Sequence, residues 1–181
     1  MKRACYFLML LPHLLFGQYS SVQEKPAFVH ELKINYTYLG TGIIQLQYEK
    51  MNQPNRSINC YLSYINFLFQ GDLVGFHGGF GVKNYFTPEK SNSFYLEPSV
   101  GFLYLEDRYY YEKYTTPSLA LVLGRKAVIA KRVSLEFYLG PSLNFGFIKN
   151  GTQSSQKLKD WFGPINGIFM RTGLTMGYKF N

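Results

Sequence analysis

The 181-residue sequence predicts an all-β protein, an up-and-down antiparallel β-barrel of eight strands. The first observation is composition, because 16 Tyr and 16 Phe with only 17% charged residues favour strands over helices. The second is that eight segments alternate between apolar and polar side chains with the period of a strand. The third is that turn-forming residues separate most of these segments, so consecutive strands are expected to pair.

The N-terminal residues are predicted to be a signal peptide rather than part of the fold. Lys2 and Arg3 precede an apolar run from Ala4 to Phe16, and Gly17 provides a small residue for cleavage. The run is shorter than the roughly 20 residues that a spanning helix needs. The predicted organisation is a signal peptide at 1–17, a periplasmic segment at 18–29 and a barrel at 30–181.

Export changes the charge and the cysteine content. Loss of two basic residues with the signal peptide lowers the formal net charge from +8 to +6. The remaining basic residues are scattered, so we predict no nucleic-acid partner. Cys5 leaves with the signal peptide and Cys60 stands alone, so the exported chain has no internal disulfide. Because no Cys/His spacing typical of a metal site occurs, we also predict no metal and no cofactor.

The first four strands are predicted in HELKINYTYL, GIIQLQYEK, SINCYLSY and GFHGGFGVKNYF. In the first of them Leu32, Ile34 and Tyr38 lie on one face, whereas Glu31 and Lys33 lie on the other. The next two strands alternate in the same way, although Tyr61 falls on the polar face. In the fourth strand, glycines occupy much of the polar face and leave room on that side of the sheet.

The last four strands are predicted in SFYLEPSVGFLY, LALVLGRKAVIA, VSLEFYLGPSLNFGF and MRTGLTMGYKF. The segment LALVLGRKAVIA has the weakest alternation of the eight. The final strand is two-faced, because Leu174 and Met176 oppose Thr175 and Gly177.

The connections differ between the two ends of the predicted barrel. Three are short, at 52–56, 87–92 and 131–132, and all three lie at the end that holds the termini. At the opposite end, EDRYYYEKYTTP and residues 149–164 are long, whereas Gly40–Gly42 is short and departs from the rule. This asymmetry is typical of an outer-membrane barrel with both termini in the periplasm.

The two faces distinguish a membrane barrel from a soluble one. In a soluble lipocalin-like carrier of an apolar ligand, the polar face meets water and should be rich in charge. Here the polar face is rich in Gly, Ser, Asn and Thr and carries few charges of nearly balanced sign, which suits a closed interior. The sequence therefore predicts a transmembrane barrel, with the periplasmic carrier as the alternative. The predicted interior network comprises Glu31, Lys33, Glu49, Lys83, Glu97, Glu136, Arg171 and Lys179.

A third candidate class is an outer-membrane enzyme that modifies lipid, which requires a nucleophile and a base held together. The exported chain has two histidines, His30 at the barrel entrance and His77 on the polar face. No His-x-Ser arrangement accompanies Ser134 and Glu136, so we interpret His77 as structural and predict no catalysis. We also predict no open pore, because eight strands leave an interior that side chains just fill.

The long connections are the predicted location of any specific recognition. Tyrosine-rich and tryptophan-containing surfaces suit contact with an extracellular protein or glycan. The competing interpretation is that the strands extend above the membrane with a girdle of tyrosines, and that the tryptophan is an interface anchor. The candidate contact residues are Tyr109, Tyr110, Tyr111, Tyr114 and Trp161.

Three stretches, ELKINYTYLGTGIIQLQYEK, GVKNYFTPEKSNSFYLEPSVGF and GLTMGYKF, resemble a family of small exported barrels of uncharacterised function. These barrels are similar to the OmpA and OmpX transmembrane domains, and the resemblance covers residues 31–181. It implies an outer-membrane location in contact with lipid, and assembly by machinery that reads a C-terminal aromatic such as Phe180. Asn181 after that aromatic departs from the pattern. The expected protein is a monomer with a structural or adhesive role.

Overall fold

The computed structural model describes residues 30–39, 42–66, 73–87, 92–108, 112–130, 132–149 and 167–181. The predicted signal peptide at 1–17, the segment at 18–29 and most of the long connections lie outside these ranges. Tyr109, Tyr110, Tyr111 and Trp161 also lie outside them. The described ranges contain no helix that is long and apolar enough to cross a membrane.

The described residues form a closed antiparallel barrel, which confirms the predicted fold class. The strands are β1 His30–Asn35, β2 Ile43–Gln53, β3 Arg56–Asn66, β4 Leu73–Tyr85, β5 Asn92–Asp107, β6 Glu112–Ala130, β7 Val133–Asn144, β8 Phe147–Lys149 and β9 Gly167–Phe180. They pair in the order β5-β4-β3-β2-β1-β9-β7-β6, and pairing of β5 with β6 closes the ring. β8 continues β7 after a break at Phe145 and Gly146, so the wall has eight strands.

The short first connection, which departs from the predicted pattern, is a tight turn. The Leu39 amide donates to the Tyr36 carbonyl, and the Gly42 amide donates to the Leu39 carbonyl, both at 3.3 Å. Gly42 has a φ of 87°, a left-handed conformation that glycine adopts without steric cost. Because β1 ends at Asn35, Tyr38 turns inward, where its hydroxyl donates to the Thr172 carbonyl at 2.5 Å. Its predicted place on the apolar outer face is therefore wrong.

The fifth connection is much shorter than predicted. β5 continues to Asp107 and β6 begins at Glu112, and these two residues pair with each other. Most of EDRYYYEKYTTP is therefore strand, as in the interpretation in which the strands extend. β8 pairs with the same end of β6, since Phe147 lies opposite Thr115. The wall of the barrel is consequently tallest along β5, β6 and β8.

The alternation of faces follows the prediction along the strands, with apolar side chains outside and polar side chains inside. Leu62 and Phe80 on the outer face are 62% and 57% exposed, whereas the inward Lys33 and Glu136 are 1% exposed. A water-soluble protein has the reverse distribution, because charged residues are almost never fully buried unless they are paired. The buried interior charges therefore require partners inside the barrel.

Candidate functional site

The half of the interior nearer the chain termini contains a cluster of buried charges. Six side chains form it, three lysines and three glutamates, and each is at most 4% exposed. They come from five strands, β1, β2, β4, β6 and β7. This charge cluster comprises Glu31, Lys33, Glu49, Lys83, Lys126 and Glu136.

Each lysine of the charge cluster contacts two carboxylates. Lys33 Nζ lies 2.5 Å from Glu136 Oε2 and also contacts Glu49. Lys83 Nζ lies 3.1 Å from Glu49 Oε2 and also contacts Glu136. Lys126 Nζ lies 2.5 Å from Glu31 Oε2 and 3.2 Å from Glu49 Oε1. Three positive and three negative charges therefore offset one another, as buried charges require.

Hydroxyl groups satisfy the remaining oxygens of these carboxylates. Tyr85 and Ser57 donate to Glu49 Oε1 at 2.5 Å and 2.7 Å. Tyr95 donates to Glu136 Oε1, and Ser134 donates to Glu31 Oε1. Because a buried charge that lacks hydrogen bonds is costly, these neutral donors are part of what makes the cluster stable.

Two glycines provide the space that these large side chains occupy. A Cβ atom at Gly177 would lie 2.1 Å from Glu31 Oε1, and one at Gly124 would lie 2.2 Å from Cζ of Tyr95. At both positions a side chain would force the neighbouring Glu31 or Tyr95 side chain to move. The glycine-rich polar face seen in the sequence therefore corresponds to clearance for the interior side chains.

The charge cluster contains five of the eight predicted network residues. Of the other three, Glu97 is buried and accepts a hydrogen bond from Asn59 Nδ2 at 3.1 Å. Lys179 is partly exposed at the rim of the barrel. In the register of β1 and β9 its backbone lies opposite that of Glu31. Arg171 lies inside the barrel near its other end. These placements separate the predicted single network into distinct groups.

Lys126 is absent from the predicted network, although it contacts two of the three glutamates of the charge cluster. It lies in LALVLGRKAVIA, where Arg125 beside it obscured the alternation. The available signal was its spacing, since Val122, Gly124 and Lys126 all face inward at intervals of two residues.

A hydrogen-bonded layer separates the charge cluster from the other half of the interior. Asn35 Nδ2 donates to Gln45 Oε1 at 2.6 Å and to the Tyr138 hydroxyl at 2.8 Å. Gln45 Nε2 in turn donates to Ser63 Oγ at 2.9 Å. These contacts join β1, β2, β3 and β7 across the barrel.

The half of the interior nearer the loop connections contains a cavity of about 260 Å³. Leu103, Leu105 and Phe169 provide apolar wall, and small side chains such as Ser118 and Ala120 leave the space open. The polar groups in the lining include Ser99, His77, Tyr61 and Arg171. This cavity adjoins the strand ends that carry the loops, whereas the charge cluster adjoins the termini.

Arg171 is the cation of the cavity, and its surroundings differ from those of the lysines. Its Nη1 donates to Ser99 Oγ at 2.8 Å. Its guanidinium carbon lies 4.3 Å from the ring centroid of Tyr61 and 5.8 Å from that of Tyr138. No aspartate or glutamate of the described ranges forms a salt bridge with it.

Of the predicted surface-contact residues, only Tyr114 lies in the part of the chain that the structure describes. Its side chain is 2% exposed and faces the interior, where its hydroxyl donates to Glu112. The prediction of a surface contact is therefore wrong for this residue, because β6 begins at Glu112 and turns Tyr114 inward.

The remaining polar groups of the cavity form local contacts. His77 Nε2 lies 3.3 Å from the Tyr61 hydroxyl, and the two rings meet edge to face with centroids 5.0 Å apart. Across the described residues, no group of three His, Cys, Asp or Glu side chains could hold a metal ion. The chemistry that the cavity offers is hydrogen bonding and the positive charge of Arg171.

Neither a protein-family model nor a curated protein sequence matches the chain. A solved structure with a similar fold is the N-terminal β-barrel domain of Pseudomonas aeruginosa OprF, with a TM-score of 0.52 and 10% sequence identity. The match covers 83% of this chain and 96% of that one. At this identity the likeness shows the fold alone, and the fold is the closed eight-stranded antiparallel barrel that the sequence predicted.

Proposed function

We propose that the protein is a small outer-membrane barrel with a structural or surface-interaction role, a closed interior and no catalysis. The observation that carries this proposal is the apolar outer face. Large apolar side chains there are 38% to 73% exposed, and they recur on every side of the barrel. Burying each such side chain in an apolar medium is worth about 1.5–3 kcal/mol, so a belt of them favours lipid over water.

The dimensions of the wall agree with a bilayer. A tilted spanning strand needs about 9–11 residues. β2 and β3 have 11 residues each, and β4 has 13. A soluble lipocalin-like carrier would present its charged residues outward, whereas the six residues of the charge cluster face inward.

We propose that the end with the charge cluster faces the periplasm. Both termini of the barrel, His30 and Phe180, lie at this end and pair with each other. Two short connections, between Gln53 and Arg56 and between Ala130 and Val133, lie there as well. Short periplasmic turns and longer outer connections are the usual arrangement in this class.

The first experiment tests the location. The full chain is expressed in a Gram-negative host, and membrane and periplasmic fractions are compared on gels run with and without boiling. We expect the protein in the outer-membrane fraction, with a different mobility before boiling because the closed barrel resists detergent. Recovery in the soluble periplasmic fraction would contradict the proposal and favour the carrier.

The second experiment tests which face meets lipid. In a Cys60→Ala background, a single cysteine replaces Leu174 or, as the matched control, Thr175, and carries an environment-sensitive dye. Leu174 is 40% exposed on the outer face and Thr175 is fully buried. Lipids with brominated acyl chains should quench the dye at position 174 strongly and at position 175 weakly. Equal quenching, or quenching at position 175 alone, would contradict the assignment of faces.

A further inference from the structure

Arg171 differs from the other interior cations in its partners. Each lysine of the charge cluster contacts two carboxylates, whereas the described partners of Arg171 are Ser99 and two aromatic rings. The negative charge of Glu97 attracts Arg171, but the two side chains form no salt bridge. Glu97 instead accepts a hydrogen bond from Asn59. A guanidinium has five N–H donors in a planar fork that fits a carboxylate. The Arg171 side chain can therefore accept an anionic partner.

The cavity gives such a partner a place next to Arg171. Its volume of about 260 Å³ exceeds the roughly 150 Å³ that suffices to hold benzene in an apolar protein cavity. Leu103, Leu105 and Phe169 provide an apolar wall in the same cavity. A space of this size is too small for a full lipid chain but holds a ring or a short chain that bears one charged group.

We propose that the cavity binds a small amphipathic carboxylate. The carboxylate pairs with the free edge of the Arg171 guanidinium, and Ser99 holds that guanidinium in position. The apolar part of the ligand packs against Leu105 and Phe169. A cationic ligand is disfavoured because Arg171 is already present and no carboxylate of the described ranges lines the cavity. This binding goes beyond the proposed structural role, which requires only the charge cluster and the apolar belt.

The test compares two ligands of the same shape on the unaltered protein. Hydrocinnamate has a benzene ring, two methylenes and a carboxylate, and hydrocinnamamide replaces the carboxylate by a neutral amide. Both are titrated by calorimetry into the folded full barrel in detergent. We expect hydrocinnamate to bind about tenfold more tightly or better, because only it pairs with the cation. Equal affinities, or no hydrocinnamate binding up to about 10 mM, would overturn the proposal.

Variants locate the site. Arg171→Gln should remove the preference for the carboxylate, whereas Arg56→Gln, which removes the same charge from the exposed start of β3 at the opposite end, should retain it. Ala120→Leu fills the cavity without changing charge and should weaken both ligands. Unboiled gels establish that each variant is folded. A carboxylate preference that survives Arg171→Gln would overturn the assignment of the site.

The two proposals fail in different experiments. Loss of the outer-membrane location would appear in the fractionation, whether or not a ligand binds. Loss of carboxylate binding would appear in the titration of folded protein, with the location unchanged. The calorimetric comparison also needs no variant to fold, because both ligands are measured on the native sequence.

Discussion

The end of the interior near the termini is filled by six charged side chains, whereas the end near the loops holds a cavity of about 260 Å³ that Arg171 lines. The same strands build both ends. On β6, Lys126 lies in the charge cluster and Ala120 lines the cavity. On β9, Gly177 makes room for Glu31, whereas Arg171 faces the cavity. The difference teaches that the size of the inward side chains at each height of the barrel determines where its interior is closed.

Removing one charge from the charge cluster should cause the largest loss of stability. Glu136→Gln removes a carboxylate that pairs with Lys33 and Lys83 and leaves buried positive charge without its partner. We expect the free energy of unfolding to fall by about 3–5 kcal/mol, as for other broken buried pairs. Urea unfolding in detergent or lipid measures this free energy. The control is Glu106→Gln, a partly exposed position near the loop end, and an equal loss in both variants would contradict the comparison.

The energetic coupling between two residues of the charge cluster should be the next largest contribution to stability. Glu31 and Lys126 lie 2.5 Å apart, so the double variant Glu31→Gln/Lys126→Gln should lose less stability than the two single variants combined. We expect a coupling energy of about 1–3 kcal/mol from unfolding curves. The pair Glu106→Gln/Lys126→Gln should be additive. Additivity for Glu31 and Lys126 would mean that their contact carries little energy.

Adding a methyl group at the filled end should lower the free energy of unfolding. Gly124→Ala places a Cβ atom 2.2 Å from Cζ of Tyr95 and should cost about 1–3 kcal/mol of unfolding free energy as overpacking. A gain in stability would contradict the proposed clearance.

Enlarging a side chain at the cavity should have the smallest effect. Ala120→Leu adds apolar volume where space is already present, so we expect a change below about 1 kcal/mol in the same unfolding assay. A loss as large as that of Gly124→Ala would mean that the cavity end is packed as tightly as the charge cluster.

The sequence predicted the filled end better than the open end, for a physical reason. Alternation with a period of two identifies which side chains face inward, and it placed Glu31, Lys33 and Glu136 correctly. Alternation does not indicate how far along the barrel axis a side chain lies. Arg171 pairs with Gly140 and Glu136 pairs with Thr175, so the two charges lie four residues apart on one ladder, roughly 13 Å. The strand register therefore places Arg171 and Glu136 at different heights in the interior, whereas alternation had assigned both to one network.

The cavity depends on register in the same way. It exists because small inward residues on neighbouring strands reach the same height, as Gly101 and Ser118 do across β5 and β6. Tyr38 enters the lining because β1 stops at Asn35, a local event without a signal in the alternation. Lys126 was missed for a different reason, because the neighbouring Arg125 disguised its face. The strand pairing shows both the shape of the cavity and the full membership of the charge cluster.

The contact between Lys33 and Glu136 spans 103 positions of the chain, and so does the one between Glu31 and Ser134. Neither contact can form until β9 has brought the first strand beside the seventh. Loop-closure entropy opposes such distant contacts, so assembly is expected to be slow compared with local hairpin formation. In the proposed membrane location, a sheet that lacks β7 would leave Lys33 in lipid without its Glu136 partner, which penalises insertion before the ring is closed. Ring closure and completion of the charge cluster are therefore expected to form one cooperative event.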